Sequence, residues 1–224
     1  MPVEAALLDV DGTLIDSNYQ HALAWYRAFR RYGQFLVERF ASVTNLVAVL
    51  PVDLLADKGG DASWSPPMPI ERWTRHTGRT IPIDEVEPFH GAHELIVDLK
   101  ERGLRVVLAS SSPKDELEHY LDLLDAHELA DAWTTEDDVE STKPAPDLVH
   151  AALKKAGTKS AVMIGDTRWD VEAAGRASVE TVCVMTGGWS EQELRDAGAL
   201  AVFDSVDELR KRLEEVGLIP QLAG

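Results

Sequence analysis

Near its N-terminus the chain reads Ala5-Ala6-Leu7-Leu8-Asp9-Val10-Asp11-Gly12-Thr13-Leu14-Ile15. The apolar run before Asp9 is too short for a stable helix and predicts a buried β-strand, which Gly12 ends in a turn. Open parallel sheets place their ligands at such a strand end. Because two nearby carboxylates repel each other, Asp9 and Asp11 indicate a metal site, a nucleophile with an acid/base partner, or both. The simpler alternative is a pair of solvated acids.

Beyond residue 90, short apolar strands alternate with helices. The strands are predicted at 104–109, 132–134, 161–164, 181–184 and 200–203, and the helices at 92–102, 113–124, 146–156, 169–176, 191–197 and 206–216. This alternation predicts an α/β fold with a Rossmann-like, doubly wound parallel sheet, right-handed crossovers and helices on both faces. We assign residues 1–16 and 89–224 to this α/β core.

The segment 17–88 interrupts the alternating pattern and predicts a small inserted, mainly helical cap domain. Within it, residues 51–82 are atypical, since they are rich in Pro, Arg and Thr and offer few apolar side chains for a core. Arg72 and Arg75 could bind an anionic group of a ligand, and His21 could reach the crevice at the strand ends. The alternatives are a solvated basic loop for the arginines and a helix-surface position for His21.

Composition narrows the class of protein further. The 224 residues carry a net charge of −17, from 39 acidic and 22 basic side chains, which argues against nucleic acid or an anionic membrane as a partner. No apolar run approaches the roughly 20 residues that span a bilayer, and no signal-peptide pattern is present, so a cytoplasmic location is expected. The single cysteine, Cys183, lies in an apolar run and is predicted to be a buried thiol. The sequence leaves the oligomeric state open.

Polar side chains follow the predicted strands at one edge of the sheet. They comprise two acids, a hydroxyl, an ammonium and two further acids: Asp9, Asp11, Ser110, Lys143, Asp166 and Asp170. Because the carboxyl ends of parallel strands meet in one crevice, we expect these groups to be neighbours. Together they suit phosphoryl transfer, in which a carboxylate attacks phosphorus, a second one moves the proton, and Mg²⁺ with hydroxyl and ammonium groups offsets the charge.

Four segments carry a resemblance to a known family: Asp9-Val10-Asp11-Gly12-Thr13, Val107-Leu108-Ala109-Ser110, Lys143-Pro144 and Gly165-Asp166-Thr167-Arg168-Trp169-Asp170. In this order they resemble the motifs of the haloacid dehalogenase-like hydrolase superfamily. The stretch from Asp16 to Trp25 resembles the lid entries of the phosphoglycolate phosphatase and β-phosphoglucomutase branch, in which a helical lid is inserted after the first motif. The resemblance implies a phosphoric monoester hydrolase.

The resemblance also implies roles for the residues that react with the substrate or bind its phosphoryl group. Asp9 matches the nucleophile and Asp11 the general acid/base of the family. Ser110 and Lys143 match residues that bind the phosphoryl group. Members of the family that cleave other bonds lack the second acid of the first motif, so Asp11 points to phosphate monoesters.

The same matches imply a magnesium site. Asp166 corresponds to a residue that binds Mg²⁺ together with Asp9 and the backbone carbonyl of Asp11. Asp170 fits a supporting role, and Thr13 is expected to brace the loop rather than to react.

The expected activity is therefore Mg²⁺-dependent hydrolysis of a small-metabolite phosphate, such as phosphoglycolate or a sugar phosphate, through an aspartyl-phosphate. A sugar phosphomutase on the same scaffold is one alternative. A non-catalytic binding module with an altered cap is another.

Overall fold

The computed structural model describes residues 2–18 and 86–222. Residues 1–16 and 87–224 belong to one compact unit and residues 17–86 to a second. The predicted cap, with His21, Arg72 and Arg75, lies almost wholly outside the described residues. Its helices and its role therefore stay predictions.

The compact unit is built on a sheet of six parallel strands. They are β1 Ala5–Asp9, β2 Arg105–Ala109, β3 Ala132–Thr134, β4 Ala161–Gly165, β5 Glu180–Val184 and β6 Ala201–Phe203. Their order, β3-β2-β1-β4-β5-β6, confirms the predicted α/β, Rossmann-like topology. The chain builds outward in both directions from β1, so the switch point at which such sheets bind ligands lies at the C-terminal end of β1.

Helices connect the strands. The described residues include α1 Ala92–Glu101, α2 Lys114–Leu123, α3 Asp147–Ala156, α4 Arg168–Arg176, α5 Glu191–Ala197 and α6 Val206–Lys211. Short 3₁₀ turns occupy Glu136–Asp138, Met185–Gly187 and Leu213–Glu215. Within the described ranges, no helix has the length and apolar character needed to cross a membrane.

The prediction for the last helix was wrong in its length. Instead of continuing to residue 216, α6 ends at Lys211, and Arg212 leaves the helical conformation with φ −120°. Leu213 and Val216 are both buried, and a 3₁₀ turn places residues three apart on the same side. The tighter turn thus directs both side chains into the core.

Apolar strands place the core directly beneath the polar strand ends. Every side chain from Ala5 to Leu8 is fully buried, as expected for a parallel strand covered on both faces. On one face, Leu7 and Met163 pack against apolar side chains of α3 and α4. Cys183 is buried in β5, which confirms its prediction as a buried thiol. The first polar side chain on β1 is therefore Asp9, at its C-terminal end.

Candidate active site

Three buried carboxylates meet at the ends of neighbouring strands. Asp9 ends β1, Asp166 follows β4, which pairs with β1, and Asp170 lies in the first turn of α4. One oxygen from each lies within 4.8 Å of the others. Their exposed fractions are only 4%, 1% and 0%. Like charges buried this closely require cations or protons among them.

Lys143 supplies one cation to this cluster. Its ammonium contacts Asp9 Oδ1 and lies 2.6 Å from Asp170 Oδ1, and its side chain is 19% exposed. Lys143 belongs to the loop before α3, and Arg176 of α4 donates a 2.7 Å hydrogen bond to the carbonyl of Pro144 in that loop. The Lys143 ammonium contacts two of the three carboxylates, so the cluster carries more negative than positive charge.

The excess of carboxylates over cations shifts the pKa values of the groups in this cluster. Burial raises the pKa of Asp9 to about 7, with Lys143 opposing the rise and Asp170 adding to it. Burial, followed by the charges of Asp170 and Asp9, raises the pKa of Asp166 well above its ordinary value. Burial disfavours the charge on Lys143, but the two carboxylates outweigh it and raise the pKa of the ammonium. A bound divalent cation would displace protons from such a cluster.

Thr13 joins the acids of the two central strands. Its Oγ1 lies 3.1 Å from Asp9 Oδ2 and 2.8 Å from Asp166 Oδ1. Since a hydroxyl has one hydrogen, Thr13 donates to one of these carboxylates at a time. The side chain that we expected to brace the loop thus also contacts two of the three clustered carboxylates.

Asp170 is fixed by the start of its own helix. Thr167 donates to Asp170 Oδ2 through its backbone N–H at 3.0 Å and through its hydroxyl at 2.6 Å. The Asp170 N–H donates to Thr167 Oγ1 in return, which completes a capping box. Gly165 leaves the space that Asp170 fills, because a Cβ at Gly165 would lie 2.6 Å from Asp170 Cγ. Both Asp170 oxygens therefore have neighbours, Thr167 and Lys143.

Asp166 retains an oxygen that suits a metal ion. Its Oδ2 is buried, and within residues 2–18 and 86–222 no group donates a hydrogen bond to it. A buried carboxylate oxygen without a donor is costly, whereas carboxylate oxygens are the ligands that Mg²⁺ prefers. The carboxylate oxygens of Asp9 and Asp166 are therefore suitable ligands for Mg²⁺.

Asp11 and Ser110 lie at the same edge of the sheet and are joined through Ser112. The Ser112 hydroxyl donates to Asp11 Oδ2 at 2.7 Å, and the Ser112 N–H donates to Ser110 Oγ at 3.0 Å. Ser110 directly follows β2, whose last residue pairs with Asp9, and it is 1% exposed. Thr134 of β3 donates to the Ser110 carbonyl at 2.7 Å. This places Ser110 beside the end of β1.

The structure thus links most of the residues singled out from the sequence. Direct contacts join five of them: Asp9, Thr13, Lys143, Asp166 and Asp170. Sequence reasoning missed Ser112 and Thr167. The run of three serines at 110–112 and the Thr-x-x-Asp spacing at 167–170 are the signals that could have found them.

Buried acids and a lysine at the ends of parallel strands suit the chemistry of phosphoryl transfer. The chain belongs to the haloacid dehalogenase-like hydrolase family, whose model matches residues 3–178. The predicted family and the prediction of a hydrolase enzyme are confirmed.

Named phosphatases are among the relatives. Validoxylamine A 7'-phosphate phosphatase of Streptomyces hygroscopicus subsp. limoneus is 29% identical, over 95% of each chain. Phosphoglycolate phosphatase of Colwellia psychrerythraea is 25% identical, over 92% of this chain and 95% of that protein. The crystal structure of a hydrolase from Pseudomonas syringae superposes with a TM-score of 0.79 at 28% identity, covering 95% of this chain and 99% of that one.

One relative is much longer. Protein SUPPRESSOR OF QUENCHING 1, chloroplastic, of Arabidopsis thaliana is 30% identical over 92% of this chain. The chain spans only 20% of the length of that plant protein.

Proposed function

We propose that the protein is a Mg²⁺-dependent phosphatase that hydrolyses the phosphate monoester of a small metabolite through an aspartyl-phosphate at Asp9. The observation that carries this proposal is the surroundings of the Asp9 carboxylate. It ends a central strand, contacts the Lys143 ammonium and the Thr13 hydroxyl, and lies beside Asp166. A nucleophile in such a place is oriented by its neighbours before substrate arrives.

In the first step, an oxygen of the Asp9 carboxylate attacks phosphorus and the bond to the ester oxygen breaks. Asp11 gives its proton to the departing oxygen, so that an alcohol leaves and an acyl phosphate remains on Asp9. Lys143 and Ser110 bind oxygens of the phosphoryl group and offset its charge. Bound by Asp9, Asp166 and the carbonyl of Asp11, Mg²⁺ would supply further positive charge at this position.

In the second step, Asp11 is a carboxylate and takes a proton from water. The water oxygen attacks phosphorus, the bond between Asp9 and phosphorus breaks, and inorganic phosphate leaves. Asp9 returns as a carboxylate and Asp11 as an acid. The 2.7 Å hydrogen bond from Ser112 supports this role, because it orients the Asp11 side chain.

Phosphoglycolate and sugar phosphates are the proposed substrates. Support comes from relatives whose names state phosphoglycolate phosphatase and a 7'-phosphate phosphatase activity. We assign the choice among phosphate esters to residues 17–88, with His21, Arg72 and Arg75 as candidate contacts.

The test is hydrolysis of p-nitrophenyl phosphate with and without Mg²⁺, followed by a panel of phosphate esters. We expect activity that requires Mg²⁺, one free phosphate per ester cleaved, and no activity in Asp9→Asn. Asp137→Asn is the matched control, since Asp137 is exposed in the 136–138 turn. If neither wild type nor Asp9→Asn hydrolysed any ester of the panel, the proposed phosphatase activity would be contradicted. An isomerised sugar phosphate without free phosphate would instead identify a mutase.

A further inference from the structure

Gly187 lies against Asp166 Oδ2, the buried oxygen that accepts no hydrogen bond from the described part of the chain. This glycine ends the 3₁₀ turn Met185–Gly187 after β5, the strand that neighbours β4. A Cβ added at Gly187 would lie 2.1 Å from Asp166 Oδ2, 2.6 Å from the Asp166 carbonyl oxygen and 2.8 Å from Asp166 Cγ. These distances are shorter than real Cβ contacts, so any side chain at residue 187 must displace Asp166.

The requirement for glycine at residue 187 is one of space and not of backbone conformation. The next residue, Gly188, has φ 80°, in the left-handed region that favours glycine, whereas Gly187 does not have a positive φ. The carboxylate of Asp166 could rotate away from an added methyl group. Its carbonyl oxygen cannot move without shifting the backbone at the end of β4, whose Gly165 pairs with Cys183 of β5.

Two tryptophans join the segments that carry Asp166 and Gly187. Trp169 follows Asp166 by three residues, and Trp189 follows Gly187 by two. Their rings pack edge to face, with centroids 6.3 Å apart and an interplanar angle of 86°. The Arg168 guanidinium carbon lies 4.9 Å from the Trp169 ring and 5.8 Å from the Trp189 ring. Glu172 accepts hydrogen bonds from Arg168 at 2.8 and 3.1 Å.

We infer that Gly187 is a positioning residue for the magnesium site and that the contact between Trp169 and Trp189 keeps it in place. Gly187 acts through Asp166, because it lies against the buried Oδ2 of the Asp166 carboxylate. This inference rests on the proposed function, since it takes Asp166 as a ligand of Mg²⁺. The loop after β5 thereby becomes part of the metal site, although it contributes no acid.

The test is isothermal titration calorimetry of the protein with MgCl₂ alone, which needs no substrate. Gly187→Ala is expected to weaken Mg²⁺ binding about tenfold or more, as changes behind a ligand commonly do. The matched control is Gly175→Ala. Gly175 lies within α4, has no positive φ, and has no atom of the described ranges 2–18 and 86–222 within 4 Å of an added Cβ. The control should bind Mg²⁺ with the affinity of the wild type.

Trp189→Ala extends the test to the aromatic contact and replaces the first variant if Gly187→Ala does not fold. We expect Mg²⁺ binding several-fold weaker than wild type, with a smaller rise in Tm on adding Mg²⁺, and partial recovery in Trp189→Phe. Wild-type affinity in Gly187→Ala would overturn the inference, and wild-type affinity in Trp189→Ala would overturn its aromatic part. A wild type that binds no Mg²⁺ would instead contradict the proposed function itself.

Discussion

Lys143→Met removes the ammonium that faces two buried acids. Removing one partner of a buried ion pair costs about 3–5 kcal/mol, because the other charge stays buried. Lys143 is 19% exposed and the acids can take up protons, so we expect a loss near the lower limit, about 3 kcal/mol at pH 8 without Mg²⁺. In a protein of this size, about 1 kcal/mol shifts Tm by roughly 2–4 °C, so Tm should fall by about 6–12 °C.

The loss of stability should depend on pH with a definite sign. The pKa of Asp9 is about 7 in the folded protein against an ordinary value of 3.8. Between about pH 4 and about pH 7, Asp9 is therefore protonated in the folded protein but ionised in the unfolded chain, which favours folding. This contribution to the free energy of unfolding is lost as pH rises through that range. Lys143 lowers the pKa of Asp9. In Lys143→Met that pKa should therefore be higher, and the fall in stability with rising pH should continue above pH 7. The Tm difference between wild type and variant should be small near pH 5 and largest near pH 8.

Thermal unfolding followed by circular dichroism in EDTA, at several pH values, measures this difference. Lys155→Met is the matched control, because Lys155 pairs with Asp138 at 2.9 Å on the surface. Such exposed pairs contribute about 0–1 kcal/mol. A Lys143→Met protein with the Tm of the control at pH 8, or with a difference that is largest near pH 5, would refute the buried-pair reasoning.

Three further predictions concern neighbouring groups. Ser112→Ala removes the hydrogen bond to Asp11, so kcat for a phosphate ester should fall about tenfold with KM nearly unchanged in steady-state assays, whereas exposed Ser111 should tolerate Ala. Equal kcat values for the two variants would contradict this role. Thr167→Ala breaks the capping box of α4 and should cost about 1 kcal/mol in urea unfolding, with Thr167→Ser close to wild type. Burial raises the pKa of the Cys183 thiol, so Ellman's reagent should label it only after denaturation, and rapid labelling of the native protein would contradict its burial.

Much of the fold follows from local patterns in the sequence. Short apolar runs between turn residues predicted the strands to within one residue at each end, including the three-residue β3 at Ala132–Thr134. The parallel topology then explains why Asp9 and Asp166, 157 positions apart by their residue numbers, share one edge of the sheet. The end of α6 was not predictable in this way, because it depends on how Leu213 and Val216 pack into the core.

The candidate site was predictable in its acids and its lysine but not in its supporting contacts. The position of Ser112 beside Asp11 depends on the path of the loop after β2, and no periodicity encodes that path. Gly187 resembles an ordinary turn residue in the sequence, and only the three-dimensional structure shows that Asp166 fills its missing side-chain space. Residues 17–88 form the other part that patterns do not resolve, because segment 51–82 has few apolar residues to set a helical period.

The central claim is that Asp9 becomes covalently phosphorylated. It can be tested by rapid acid quench of the protein with acetyl phosphate and Mg²⁺, followed by borohydride reduction and mass spectrometry of the N-terminal peptide. An aspartyl-phosphate is reduced to homoserine, so we predict homoserine at residue 9 in the wild type and none without Mg²⁺ or in Asp9→Asn. Turnover of acetyl phosphate with Asp9 unmodified, or with equal rates in wild type and Asp9→Asn, would contradict the account.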